Sequence, residues 1–203
     1  MRRRLCSPAT VVLLLAAAIG LAACGSTAQS RFYTLSSLAV SGESHHAPAG
    51  KQRQIIGIGP IALAKYLDHP AITTRSGANT LHRAELDRWG GSLADEVSRV
   101  LVENMRQLLS GEGYLVLPWL ETAAVNYRVQ LNITRFEATP EGRVELNAAW
   151  LLHGQEGNIP LASGDAAFVE PVQGEGYPAI SAAMSRALAE LSRRIAVEIA
   201  DRG

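Results

Sequence analysis

Cysteine is nearly missing: the 203 residues hold two, Cys6 and Cys24. No C-x-x-C pair exists, and none of His45, His46, His69, His82 and His153 falls into H-x-x-x-H or His–carboxylate spacing, so the sequence offers no metal site. Excess charge of one sign is also lacking. With 19 basic and 19 acidic residues the chain has no strong basic field, which argues against nucleic acid as a partner. No apolar run reaches the ~18 residues needed to span a bilayer as a helix. No G-x-S-x-G elbow is present, and the G-x-G pairs at Gly57–Gly59 and Gly174–Gly176 lack a third glycine. The second pair precedes a helix pattern and could take an anion, but a plain turn explains it as well. Asp68-His69 has acid–base composition, but beside Pro70 it reads as a turn. The expectation is a protein without enzymatic activity, cofactor or metal.

What is there begins at the N-terminus. Arg2, Arg3 and Arg4 precede an apolar run from Val11 to Leu21, the pattern of a secretory signal peptide. The arginines also hint at a twin-arginine signal, although no fuller motif accompanies them. Leu21-Ala22-Ala23-Cys24 has the form of a bacterial lipobox: small residues before the cut, then a thiol to carry diacylglycerol. The alternative is an ordinary signal peptide with an incidental cysteine. On the lipobox reading, 1–23 is the signal peptide, 24–30 a lipidated tether and 31–203 one periplasmic domain, with Cys24 the site of lipid attachment. Removing 23 of 203 residues leaves 180, enough to bury a core. Loss of the three arginines leaves 16 basic residues against 19 acidic, a balance near −3. Cys6 departs and Cys24 becomes a thioether, so no disulfide remains to staple the fold. Two or more acyl chains give a stable anchor, at roughly 0.8 kcal/mol for each buried methylene. Gly25, where an inner-membrane-retained lipoprotein carries Asp, favours the outer membrane. From Cys24 to Phe32 the tether spans at most roughly 29 Å, which keeps the domain near the membrane.

The body alternates strand and helix signals. Strands are expected at Arg31–Ser36, Gln54–Leu63 (with a turn at its Gly and Pro), Ala71–Arg75, Thr80–Arg83, Gly113–Leu117, Tyr127–Ala138, Arg143–His153 and Pro160–Val169. Leu38 to Arg53 reads as a polar loop. In LADEVSRVLVENMRQLL the residues Leu93, Val97, Val100, Leu101, Met105 and Leu108 recur at helical steps. Ser92 with Asp95 forms a capping-box pattern there, and Gly111 suits the C′ position. A second helix is expected from Pro178 to Ala200, burying Ile180, Met184, Ala187, Leu188, Leu191 and Ile195. The close spacing of the four strands between the helices implies an antiparallel meander. The expected fold is α/β: a two-layer arrangement of a mixed, largely antiparallel sheet with two main helices packed on it. Trp89 stands just before the first helix, either closing the core or serving as an exposed anchor. Flanking Leu86 and Leu93 favour the core.

KYLDHPAITTR, followed by LDRWGGSLADEVSRVLVENMRQLL, resembles the ABC-type transport auxiliary lipoprotein family, the PqiC/YmbA-like proteins. The matching residues are Tyr66, Leu67, Arg75, Arg88, Trp89, Leu93, Val100 and Leu101. Tyr33 and Leu35 match the family's Tyr-x-Leu opening, and Leu188, Leu191 and Ile195 fit its last helix. Ala64-Lys65 and Gly90-Gly91 depart from the commoner Leu-Pro and Ala-Glu. The resemblance implies a periplasm-facing outer-membrane lipoprotein that docks the conduit of an ABC transporter through an MCE-domain protein. It implies lipid or other hydrophobic cargo and a role in envelope integrity. Tyr33, Leu35, Tyr66, Leu67, Arg75, Arg88 and Trp89 become structural or interface candidates, and a homo-oligomer is compatible with the role. Competing readings are an assembly lipoprotein of another envelope machine, for lipopolysaccharide insertion or secretion, and a hydrolase with an unrecognised site.

Overall fold

A computed structural model describes residues 28–39, 54–120, 124–155 and 159–202. The signal segment, Cys24 and nearly all of the expected polar loop lie outside the described residues. The chain divides into Met1–Ser30 and Arg31–Gly203, and all the elements below belong to the second unit.

The strands are β1 (Arg31–Tyr33), β2 (Gln54–Leu63), β3 (Ala71–Gly77), β4 (Thr80–Trp89), β5 (Tyr114–Pro118), β6 (Tyr127–Ala138), β7 (Arg143–Gly154) and β8 (Pro160–Pro171). Helix α1 (Leu93–Leu108) lies between β4 and β5, and α2 (Gly176–Ala200) follows β8. Five strands pair in the order β5-β2-β6-β7-β8, and three more in the order β1-β4-β3. The fold is α/β with both helices packed on the sheet, as the periodicities imply. Two details differ from the sequence expectation. The strands form two sheets rather than one. The antiparallel meander is β6-β7-β8 only, because β2 inserts between β5 and β6 and runs parallel to both. Turn spacing reveals local hairpins but not a distant strand entering between neighbours. The β2-to-β5 connection carries the β3–β4 hairpin and α1, the long crossover that parallel pairing requires.

Strand alternation decides the core. Ile56, Ile58, Val129, Leu131, Ile133, Leu146, Trp150 and Leu152 face the helices. Val97, Val100, Leu101 and Met105 of α1 meet them over β2 and β5, while Met184, Ala187, Leu188, Leu191 and Ile195 of α2 do so over β7 and β8. Gly59-Pro60 is a register shift inside one continuous β2 rather than a turn. The hairpin strands β3 and β4 run longer than their β-propensity suggested, because pairing across the sheet carries polar stretches. Ser92 caps α1, its Oγ accepting from the Asp95 N–H at 3.1 Å. The positive φ after the helix falls on Gly113, at 79°, not on Gly111.

Candidate functional site

Two of the candidate residues meet at a buried carboxylate. Tyr66 lies in the turn after β2 and Arg75 on β3. Both reach Glu137 of β6, whose side chain is fully buried. Tyr66 Oη donates to Glu137 Oε2 at 2.8 Å and Arg75 Nε to Oε1 at 2.9 Å. Arg135 Nε adds a third bond at 3.1 Å, and the Phe136 backbone N–H a fourth at 2.9 Å. The network continues outward: Arg135 pairs with Glu145 at 2.7 Å, and Glu145 with Arg143 at 3.1 Å. Above the buried carboxylate, Tyr66, Arg75, Arg135, Arg143 and Glu145 line an open cleft of about 540 Å³ with Thr134, Thr139 and Glu141, between the small sheet and β6–β7.

Burial is the main cause that pushes the Tyr66 hydroxyl up to about 12, with the bond to Glu137 adding to it. Tyr66 therefore stays a proton donor at neutral pH. The Glu137 bond likewise raises the Arg75 guanidinium above its ordinary value. Each carboxylate of the cleft faces an arginine. The arrangement clamps β3 to β6 and presents an ordered polar rim. Among the described residues, no cluster of three His, Cys, Asp or Glu side chains could hold a metal ion.

Tyr33 and Leu35 belong to a second assembly. Asp87 of β4 accepts from Arg31 Nη2 at 2.9 Å and from Tyr33 Oη at 2.7 Å. The bond from Arg31 holds the Asp87 carboxyl below the usual carboxylate range, and the bond to Asp87 raises the Tyr33 hydroxyl. The Tyr33 ring lies 6.1 Å from that of Tyr177. Beyond β1 the backbone is strapped by helix side chains. Leu35 N–H donates to Glu96 at 2.9 Å, and Arg99 donates to the Leu35 carbonyl at 2.6 Å. Ser36 N–H donates to Ser185 Oγ at 3.0 Å, and Leu38 N–H to Asn104 Oδ1 at 2.7 Å. Gln107 returns a bond to the Leu38 carbonyl at 2.9 Å. Leu35 itself is buried at 2% exposure.

The remaining candidates separate. Leu67 and Trp89 are core residues, Trp89 at 4% exposure, and Trp89 aligns with Tyr33 across the β1–β4 pair. Arg88 is exposed on β4. Sequence reasoning missed Glu137, Asp87, Glu96 and Asn104. The signal for Glu137 was a carboxylate at core parity, since Val129, Leu131 and Ile133 set an odd-numbered inward face. A bulge at Thr134 shifts that parity. Phe136 turns into the core instead, and Glu137 meets Arg75 on the other side.

No curated protein matches the chain. Solved structures share its fold, two of them over nearly their whole length. An uncharacterized protein superposes with a TM-score of 0.70 at 19% identity, over 85% of this chain and 99% of its own. Protein XCC0632 from Xanthomonas campestris gives 0.63 at 14% identity, over 85% and 100%. The family model of the ABC-type transport auxiliary lipoprotein component matches residues 33–196. That span opens at Tyr33, encloses the Glu137 network and all of the Asp87 assembly but Arg31, and closes on α2, so this chain belongs to the ABC-type transport auxiliary lipoprotein family.

Proposed function

We propose that this auxiliary lipoprotein is anchored through acylated Cys24 at the periplasmic face of the outer membrane. There it docks the conduit of an MCE-type ABC transporter moving lipids or other hydrophobic molecules, and so supports envelope integrity. The observation that carries the reading is the family match across 33–196, which reaches almost every element of the folded unit. The lipobox and the short tether support it. The paired charges around Glu137 fit a docking module rather than a catalyst.

The test is association. The full chain is expected to retain the neighbouring MCE-domain protein when both are membrane-embedded. Cys24→Ala is expected to abolish fatty-acid labelling and stable membrane attachment. Retention of a component of another envelope machine, with no binding to the MCE protein, favours the assembly reading instead.

A further inference from the structure

On the sheet face turned away from the helices, four strands bring together an unusual row. Gly57 of β2 pairs with Arg128 of β6, Arg128 with His153 of β7, and His153 with Pro160 of β8. Their neighbours Ile58, Val129 and Leu152 point into the core, so strand alternation puts Arg128 and His153 on the opposite face. Trp119, just past β5, lies over Gly57. A Cβ added at Gly57 would stand 2.8 Å from the Trp119 ring, so only glycine leaves the indole its place. The Arg128 guanidinium carbon sits 4.8 Å from the centre of that ring, within cation–π range.

The polar groups of this row are unmet. Arg128 Nε is buried and has no hydrogen-bond partner. Among the described residues no ion pair involves Arg128. His153 is 7% exposed, yet neither of its ring nitrogens has a partner. Folded proteins satisfy nearly all buried polar atoms, so two adjacent orphan side chains mark a place where an outside group completes the bonding. An arginine held against an indole and a histidine that can donate one N–H favour an anion. The flank beside Trp119 is apolar: Leu120 follows it at 65% exposure.

We propose that the Trp119–Arg128–His153 row binds the anionic headgroup of an amphiphile. Arg128 and His153 hold the phosphate oxygens, and Leu120 meets the first methylenes of the chains. The site lies apart from the Glu137 cleft and does not depend on the conduit reading.

The probe is dihexanoylphosphatidylglycerol, titrated into the full chain in a neutral maltoside detergent. Trp89 and Trp150 are buried, so Trp119 emission reports on the site. A saturable change is expected, along with shifts of the His153 ring nitrogen resonances. Loss of one charged hydrogen-bond donor in Arg128→Gln should weaken binding about tenfold or more, with an unchanged circular dichroism spectrum. Arg128→Lys, which keeps the charge, should fall between the two. Uncharged dihexanoylglycerol should produce no saturable change, and inorganic phosphate should bind more weakly than the lipid. Equal affinity for phosphate overturns the amphiphile. Absence of binding, or equal binding by Arg128→Gln, overturns the site. None of these measurements involves the transporter, so their failure leaves the docking test untouched.

Discussion

Strand β6 carries a carboxylate near one end and an arginine near the other, and the protein treats them in opposite ways. Glu137 receives four donors from three segments of chain and disappears from solvent. Arg128 receives an indole face and nothing else among the described residues. The first is a closed network, and its members hold two sheets in register. The second is an incomplete one. A buried charge whose every bond is met answers a structural need; one left unmet answers to something outside the chain.

The strongest way to break this contrast is at Glu137. Glu137→Ala strips the acceptor from Tyr66, Arg75 and Arg135 at once, and is expected to lose about 3–5 kcal/mol. A urea unfolding midpoint close to that of the parent protein would show that the network is dispensable. Trp89→Ala should lose a similar amount, roughly 3–5 kcal/mol, since Trp89 is buried where β4 meets α1. An unchanged midpoint with lost partner binding would instead make Trp89 an interface residue.

A smaller effect sharpens the comparison through pH. The hydroxyl of folded Tyr66 ionises near 12, whereas an unfolded tyrosine does so near 10. The protonated form is the one the fold favours. Its contribution is therefore complete below about pH 10 and is lost as pH climbs toward about 12. Tyr66→Phe removes one hydrogen bond, about 1 kcal/mol, and is expected to flatten this part of the alkaline decline. Ultraviolet titration with parallel unfolding curves checks both. The smallest change is expected at Arg128: Arg128→Gln should cost about 0.5–1 kcal/mol, because it loses the cation–π contact with Trp119 but no hydrogen bond among the described residues. A loss comparable to that of Glu137→Ala would erase the distinction between the two ends of β6.

Much of this architecture was legible in the order of residues. Helical spacing of Leu93, Val97, Val100 and Met105, and of Met184, Leu188, Leu191 and Ile195, predicted both helices and their buried faces. Alternation in β6 and β7 predicted the central hairpin. These signals are local, as are the lipobox pattern at Cys24 and the Ser92 cap. The motif residues Tyr66 and Arg75 could also be picked out, but not their common partner.

Periodicity alone determined the two helices, the β6-β7-β8 meander and the apolar core face, because a residue's direction along a regular element depends only on its immediate neighbours. Only the tertiary structure decided that β2 enters between β5 and β6 and that β1 joins β4. It alone turned Glu137 toward Arg75, through the bulge at Thr134. It also set Trp119 over Gly57, beside an arginine that has no counter-ion among the described residues. Those are contacts between residues far apart in the chain, and the free energy that selects them comes from burial and from the need to satisfy buried polar atoms, neither of which exists until the segments have met.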